Sequence, residues 1–417
     1  METSFVSLLW IAICAVLAPL VAGLVPRRLV PEVVILLVAG VLVGPYGLGL
    51  ATTDDAIGML RQLGLAMLFL LAGFEVEIDE ITGRSGRRAL GTWLVCFTLA
   101  LSLVFGIGLT GVISAETAVA IALCSTALGT LLPILKDSGL MATPVGRAVL
   151  NHGAYGELAP IVAMAVLLGT GGPAEAIVAV VVFAVLASAL TLPWTRVRRE
   201  TSRMMTIVRA GSETTGQTTV RLTVLLLVGL CVLAEVFHLD VVLGAFAAGF
   251  VLRQAIPDGN QQLETKLNGL AFGLLIPVFF VTSGMAIDPS AVAEHPTTLI
   301  IFVLMIMVVR GLPVALASRA ERDPVDHSRI FDVRDSARIG LFAATGLPII
   351  VAVTTTAVNA GQMSAENASV LVAGGAVTVL TMPLAASLLG GSGRAGGAED
   401  PGDPGASDAG VSPPRPA

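Results

Sequence analysis

Two ionisable residues stand deep inside apolar stretches of this sequence. Glu157 lies about thirteen residues into one of them, in Asn151-His152-Gly153-Ala154-Tyr155-Gly156-Glu157-Leu158-Ala159-Pro160, and Arg310 lies about as deep in another, in Val308-Val309-Arg310-Gly311-Leu312-Pro313. At a helical rise of about 1.5 Å per residue, both reach roughly the middle of a bilayer. Charges are costly there and are kept where they act. A carboxylate at that depth can carry a proton and can also ligate a hard cation directly. Competition of the two for one carboxylate is the minimal physical basis for exchanging one against the other. The alternative for the same residues is a structural ion pair that fixes helix packing.

Two further segments combine glycine, threonine and proline within apolar surroundings. One is Ser125-Thr126-Ala127-Leu128-Gly129-Thr130-Leu131-Leu132-Pro133, and the other is Ala343-Ala344-Thr345-Gly346-Leu347-Pro348. Such residues can interrupt a helix at membrane depth, free backbone carbonyls and aim half-helix ends at a central site. Either segment alone reads as an ordinary proline kink. Their placement changes that reading, because one break precedes the stretch carrying Glu157 and the other follows the stretch carrying Arg310. Two inverted halves would arrange them so. His152 is five residues from Glu157, on a different helix face, and reads as a packing or hydrogen-bonding residue. Asn151 and Tyr155 are accessory candidates. Glu235 and Asp240 flank a short outer turn, as solvated groups or as the lining of an outer funnel. Glu75, Glu77, Asp79 and Glu80 read as a solvated cytoplasmic network beside Arg84, Arg87 and Arg88.

The elements that must hold these residues follow from composition. Apolar residues make up 55% of 417 positions and charged ones 13%, and the mean hydropathy is +0.88. That balance leaves too little polar surface for a soluble globule of this size. Forty-five glycines suit helices that approach closely within lipid. Apolar runs of a length that spans hydrocarbon number thirteen, near 5–24, 30–50, 57–76, 89–113, 116–135, 145–168, 174–194, 218–237, 239–254, 267–287, 297–317, 337–359 and 367–389. Threading them from an outside amino terminus puts nearly every Lys and Arg in the cytoplasm. Arg61 alone lies outward and Arg310 alone lies deep, in accord with the positive-inside rule. The expected fold is an all-α polytopic membrane protein of about 13 transmembrane helices over residues 1–389. A basic cytoplasmic connecting loop covers 196–218, and a Gly-, Ala-, Asp- and Pro-rich disordered cytoplasmic tail covers 390–417. Cys14, Cys96, Cys124 and Cys231 lack metal-ligand spacing and read as small core residues, so no cofactor is implied. Nothing in the sequence points to nucleic acid or to an intramembrane enzyme.

Several motifs together resemble one family. These are Gly44-Pro45-Tyr46-Gly47, Leu68-Phe69-Leu70-Leu71-Ala72-Gly73-Phe74-Glu75, Ser125-Thr126-Ala127, Leu243-Gly244-Ala245-Phe246-Ala247-Ala248-Gly249 and Pro277-Val278-Phe279-Phe280-Val281-Thr282-Ser283-Gly284-Met285. In this order, across about 5–389, they resemble the monovalent cation:proton antiporter-2 family. The resemblance implies inverted repeats with two crossing discontinuous helices, the fifth and twelfth spans, and a homodimer. Each protomer would have a dimerisation part and a core that moves like an elevator. It assigns the shared cation and proton site to Glu157 with Ser125 and Thr126 beside it, and the basic residue of the later span to Arg310. Gly129, Pro133, Thr345, Gly346 and Pro348 belong to the helix breaks.

One departure from the family pattern carries consequences. Its usual acid pair, or amide and acid, reads here Gly156-Glu157, so the first acid is missing. One proton for one Na+ or K+, an electroneutral exchange in a bacterial inner membrane, is the expectation. Glutamate reaches farther than aspartate, and Gly156 is expected to leave room beside it, which keeps open a proton-driven exporter of an organic solute or drug. A non-transporting membrane sensor on the same frame is a further alternative. The lack of a nucleotide-sensing cytoplasmic domain argues against the gated potassium efflux subgroup.

Overall fold

In the computed structural model, residues 2–24, 30–76, 83–108, 115–168, 173–189, 217–256, 261–323 and 327–389 are described. Arg27 and Arg28, the acids Glu77, Asp79 and Glu80, the loop 196–216 and the tail 390–417 lie outside them. Each of the thirteen expected spans is helical. They are α1 Glu2–Leu24, α2 Glu32–Val43, α3 Asp55–Glu75, α4 Arg84–Gly108, α5a Glu116–Leu123 with α5b Leu128–Asp137, α6 Pro144–Leu167 and α7 Pro173–Ala189. After the connecting loop come α8 Thr218–Val236, α9 Val241–Ala255, α10 Gln261–Met285, α11 Pro296–Arg319, α12a Val333–Ala343 with α12b Leu347–Asn359, and α13 Ala365–Leu389. Eight of these helices are long and apolar enough to cross a membrane, and shorter apolar helices accompany them.

Polar side chains set where several helices start. Asp54 caps α3 by accepting from the Ile57 N–H at 2.9 Å and from the Ser4 hydroxyl, and these two bonds hold its carboxyl below the usual carboxylate range. Thr143 caps α6 through the Gly146 N–H at 3.1 Å, and Asp332 caps α12a through the Asp335 N–H at 2.7 Å. Prolines shape two interiors. Pro277 and Pro313 have no N–H to donate to the carbonyls of Gly273 and Val309, four residues back, and those carbonyls fall inside the wide π-turns Ala271–Leu275 and Met307–Gly311. The second of these turns carries Arg310.

The helices form two bundles. One gathers α1, α2, α3, α8, α9 and α10, and the other gathers α4, α5, α6, α11, α12 and α13. In the first, glycines let backbones touch. A Cβ on Gly73 would strike the Phe246 carbonyl and one on Gly249 the Leu70 carbonyl, which locks α3 to α9, while Gly40 and Gly284 do the same between α2 and α10. The second bundle repeats one pattern twice, a broken helix between two longer ones, in α4–α6 and α11–α13. Seven crossings separate the repeats, an odd number, so they are inverted. The bundles meet along a sparse seam where α3 touches α5b, α9 touches α6 and α2 touches α13, and α7 leans on both α6 and α9. Large apolar side chains such as Leu20, Val95, Val181, Leu225 and Leu304 remain exposed on the outer helix faces, the surface a bilayer covers.

Candidate functional site

The two helix breaks cross each other at the centre of the second bundle. α5 is interrupted at Cys124–Ala127 and α12 at Ala344–Gly346. The freed backbone groups find partners across the crossing, as buried backbone must. The Ala127 N–H donates to the Thr345 carbonyl at 2.5 Å, and the Thr126 N–H donates to the Gly156 carbonyl of α6 at 2.8 Å. The Thr126 hydroxyl donates to the Ala343 carbonyl at 2.6 Å. The Ser125 hydroxyl donates to Ala122 at 2.7 Å and reaches the Gly346 carbonyl at 3.4 Å, and Thr345 closes the end of α12a through Phe342 at 2.8 Å. Gly346 is required by close approach, because a Cβ there would collide with the Ser125 hydroxyl. Pro348 stands in the first turn of α12b, where its missing N–H costs nothing.

Gly129 and Pro133, expected in the fifth-span break, lie downstream of it, inside α5b. The crossing strand needs only the extended residues Ser125–Ala127, so the helix resumes at Leu128. The Pro133 side chain lies outside the described residues.

Arg310 is fully buried and serves the crossing. Its Nε donates to the Thr126 hydroxyl at 3.1 Å, Nη2 donates to the His152 carbonyl at 2.7 Å, and Nη1 lies 3.9 Å from Cys96 Sγ. Among the described residues no ion pair joins Arg310 to Glu157, so the structural-pair alternative is not what the side chains do. Glu157 is 2% exposed, and its Oε2 has no hydrogen-bond partner. The Leu128 N–H, at the amino end of α5b, faces its carboxyl group. A half-helix amino terminus favours negative charge. One carboxyl oxygen is left for an ion or a proton.

Gly156 leaves no room beside Glu157, contrary to expectation. A Cβ there would run into the Thr126 side chain and the Arg310 guanidinium. The place of the missing first acid is filled by the basic residue that braces the crossing. His152 is buried, contributes its carbonyl to Arg310 and leaves Nδ1 without a partner. Asn151 is half-buried and Tyr155 buried.

Sequence reasoning passed over three features of the seam. Arg61 of α3 donates to the Thr355 hydroxyl of α12b at 3.1 Å. Thr356, the next residue, donates to Asp240 at the start of α9 at 2.8 Å. A cavity of about 150 Å³ lies there, lined by Arg61, Ser283, Thr354, Thr355, Asn359 and Ser369 among others. The run Thr354-Thr355-Thr356 in an otherwise apolar half-helix was the available signal. Glu75, expected within a solvated network, is exposed between buried Phe74 and Val76.

The family described as sodium/hydrogen exchanger, transmembrane, matches residues 12–389. A putative Na(+)/H(+) antiporter of Bacillus subtilis, YjbQ, is 26% identical over 323 residues, which are 74% of this chain and 52% of that protein. A probable Na(+)/H(+) antiporter of Bacillus cereus, GerT, is 21% identical across 82% of this chain and 88% of its own. The glutathione-regulated potassium-efflux system protein KefC of Klebsiella pneumoniae is 27% identical across 71% of this chain and 48% of its own. The chain thus spans about half the length of YjbQ and KefC. Among solved structures, the sodium proton antiporter MjNhaP1 of Methanocaldococcus jannaschii superposes with a TM-score of 0.60 at 18% identity, covering 92% of this chain and 97% of its own. That likeness concerns the fold.

Proposed function

The chain belongs to the sodium/hydrogen exchanger family, and from that premise we propose that it exchanges a monovalent cation, Na+ or K+, for H+, with Glu157 as the shared site. The observation that carries the proposal is the Glu157 carboxyl. It is buried, has one oxygen without a partner, faces a half-helix amino terminus and is not consumed by Arg310. A proton or a dehydrated cation supplies the missing interaction, and the two exclude each other on one group. Electroneutral exchange follows from the count of acids on α6, since Gly156 has no space for a second.

Movement is assigned to the bundle of α4–α6 and α11–α13, sliding against the bundle of α1–α3 and α8–α10 as an elevator. Support comes from the sparse seam, because a body held by few contacts can shift without repacking its core. A homodimer joined through the first bundle, in a bacterial inner membrane with the amino terminus outside, completes the reading. The organic-solute alternative loses its main support with the filled space at Gly156.

The test is exchange in vesicles holding a trapped pH dye, with Na+, K+, Rb+ or Li+ added. Glu157→Gln keeps the side-chain shape and removes the charge, so exchange should fall at least about a hundredfold while the protein remains monodisperse. Turnover at the parent rate in that variant removes Glu157 from the mechanism.

A further inference from the structure

The cavity between the two bundles plays no part in the chemistry at Glu157, and its wall suits a negative ligand. α3 and α10 of one bundle and α12b and α13 of the other enclose it. Arg61 enters from α3, half-buried, and a guanidinium keeps its charge at every working pH. The two arginines within the spans differ in how that charge is met. Arg310 has a contact for each of its three nitrogens. Arg61 uses Nη2 alone, for Thr355 at 3.1 Å, and among the described residues no carboxylate pairs with it. The acids at this end are engaged elsewhere. Asp240 accepts from the Val242 N–H and from Thr356, while Asp288 accepts from the N–H and the hydroxyl of Ser290.

The other polar groups of the wall divide into spent and available donors. The Ser283, Thr354 and Ser369 hydroxyls donate to carbonyls of their own helices at 2.6, 2.8 and 2.9 Å. The Thr355 hydroxyl accepts from Arg61, which leaves its proton for the cavity. Asn359, four residues farther on the same face of α12b, adds an amide. Carbonyls at the end of α12b are taken by the N–H groups of Ala360, Gly361 and Gln362. α13 begins at Ala365, in the wall, and so brings the positive end of a helix. The remaining wall is alanine, valine and isoleucine. One fixed positive charge thus stands among N–H and O–H groups in a recess without a carboxylate. Its volume, about 150 Å³, has room for an ion with several waters at about 30 Å³ each.

We propose that this cavity binds one small monovalent anion of the chloride class, held by Arg61, Thr355 and Asn359. One guanidinium balances one charge, and a weakly hydrated guanidinium among apolar walls favours weakly hydrated anions over fluoride or sulfate. The contacts come from both bundles, so the anion stabilises the arrangement in which Arg61 meets Thr355 and acts as a brake on the sliding of one bundle past the other. Binding stands independently of the exchange reading, and the brake rests on it.

Thermal unfolding of the full chain in an uncharged detergent tests the site, at constant ionic strength with gluconate as the balancing anion. Chloride should raise the midpoint saturably, bromide and nitrate should reach half-saturation at lower concentration, and fluoride and sulfate should give no saturable shift. Arg61→Gln should raise the half-saturating chloride concentration at least about tenfold, the size expected for losing a hydrogen bond to a charged group. Asn359→Asp keeps the side-chain shape and sets a carboxylate in the anion's place, so it should do the same even where Arg61→Gln fails to fold. A shift that never saturates, sulfate acting at lower concentration than chloride, or an undiminished response in a folded variant overturns the site. A response that needs added anionic phospholipid assigns the recess to a lipid headgroup and overturns it as well. In vesicles of neutral phosphatidylcholine, saturating chloride should slow exchange about twofold relative to gluconate in the parent and leave Asn359→Asp unchanged. Equal rates in the two anions overturn the brake. Failure of the exchange reading is separate, since it shows as turnover in Glu157→Gln.

Discussion

The two ends of α3 face the same seam in opposite ways. Near one end Arg61 reaches across to Thr355, and next to it Thr356 reaches back to Asp240, so two hydrogen bonds tie the six-helix bundle to α12b. At the other end, fourteen residues and about 21 Å along the helix, Glu75 is exposed and makes no such tie among the described residues. Neither tie is an ion pair. Each joins a charged side chain to a neutral hydroxyl, worth about 1.5–3 kcal/mol in a dry setting and less where water reaches. A seam fastened by ionic locks would hold one state, whereas bonds of this size let a closed end open and the opposite end close. On the proposed cycle, the hydrogen-bonded Arg61 end is the one that has to part and re-form.

The strongest way to break this comparison is to make the shut end permanent. Arg61→Cys with Thr355→Cys, joined by a short bifunctional thiol reagent, should stop exchange, a loss of at least about fiftyfold that reverses when a cleavable linker is cut. The native thiols leave room for the experiment, since Cys14, Cys96 and Cys124 are buried and Cys231 is half-buried. Unimpaired turnover in the linked protein would mean that the seam never opens there.

A second comparison sets one arginine against another. Arg310→Ala strips the Thr126 hydroxyl and the His152 carbonyl of their donor in a dry core, so exchange should fall at least about thirtyfold, with thermal stability reduced as well. Arg61→Ala removes one bond at a wet seam and should change exchange by no more than about threefold. Equal effects would place both arginines in the same role and undo the distinction between brace and latch.

The sequence exposed the frame and the central acid for the same reason: hydrocarbon penalises polarity so heavily that apolar length and the rare charge both stand out. Glu157 and Arg310 are visible because each interrupts an apolar run. Gly346 and Thr345 are visible because their residue types suit a break. What stayed hidden depends on which faces meet. The alternative that paired Arg310 with Glu157 is not what forms: the three contacts of Arg310 go to Thr126, His152 and Cys96, on three other helices that its own span gives no hint of. Gly156 was taken for empty space, and only the packing of α5 and α11 against α6 shows it filled. Asp240 and Glu75 looked alike as solvated acids at span ends. Asp240 proves to hold a threonine 116 residues distant in sequence, while Glu75 closes a helix that packs against the half-helix of the site, and neither relation has a local signature.

The smallest effect tests the latch without touching the site. Asp240 does two things, capping α9 through the Val242 N–H at 2.9 Å and accepting from Thr356 at 2.8 Å. Thr356→Val removes only the second, so it should favour opening at the Arg61 end by about fivefold, close to 1 kcal/mol for one bond at a wet boundary. The readout is the rate at which an impermeant thiol reagent labels Ser283→Cys, in the wall of the 150 Å³ cavity, in a background without native cysteines. Asp240→Asn keeps an oxygen for the cap and an amide that can still donate to the threonine hydroxyl, so labelling should change by less than about twofold. Thr356→Val that labels no faster than its parent would reduce the hydroxyl bonds to packing detail and leave the latch without a role.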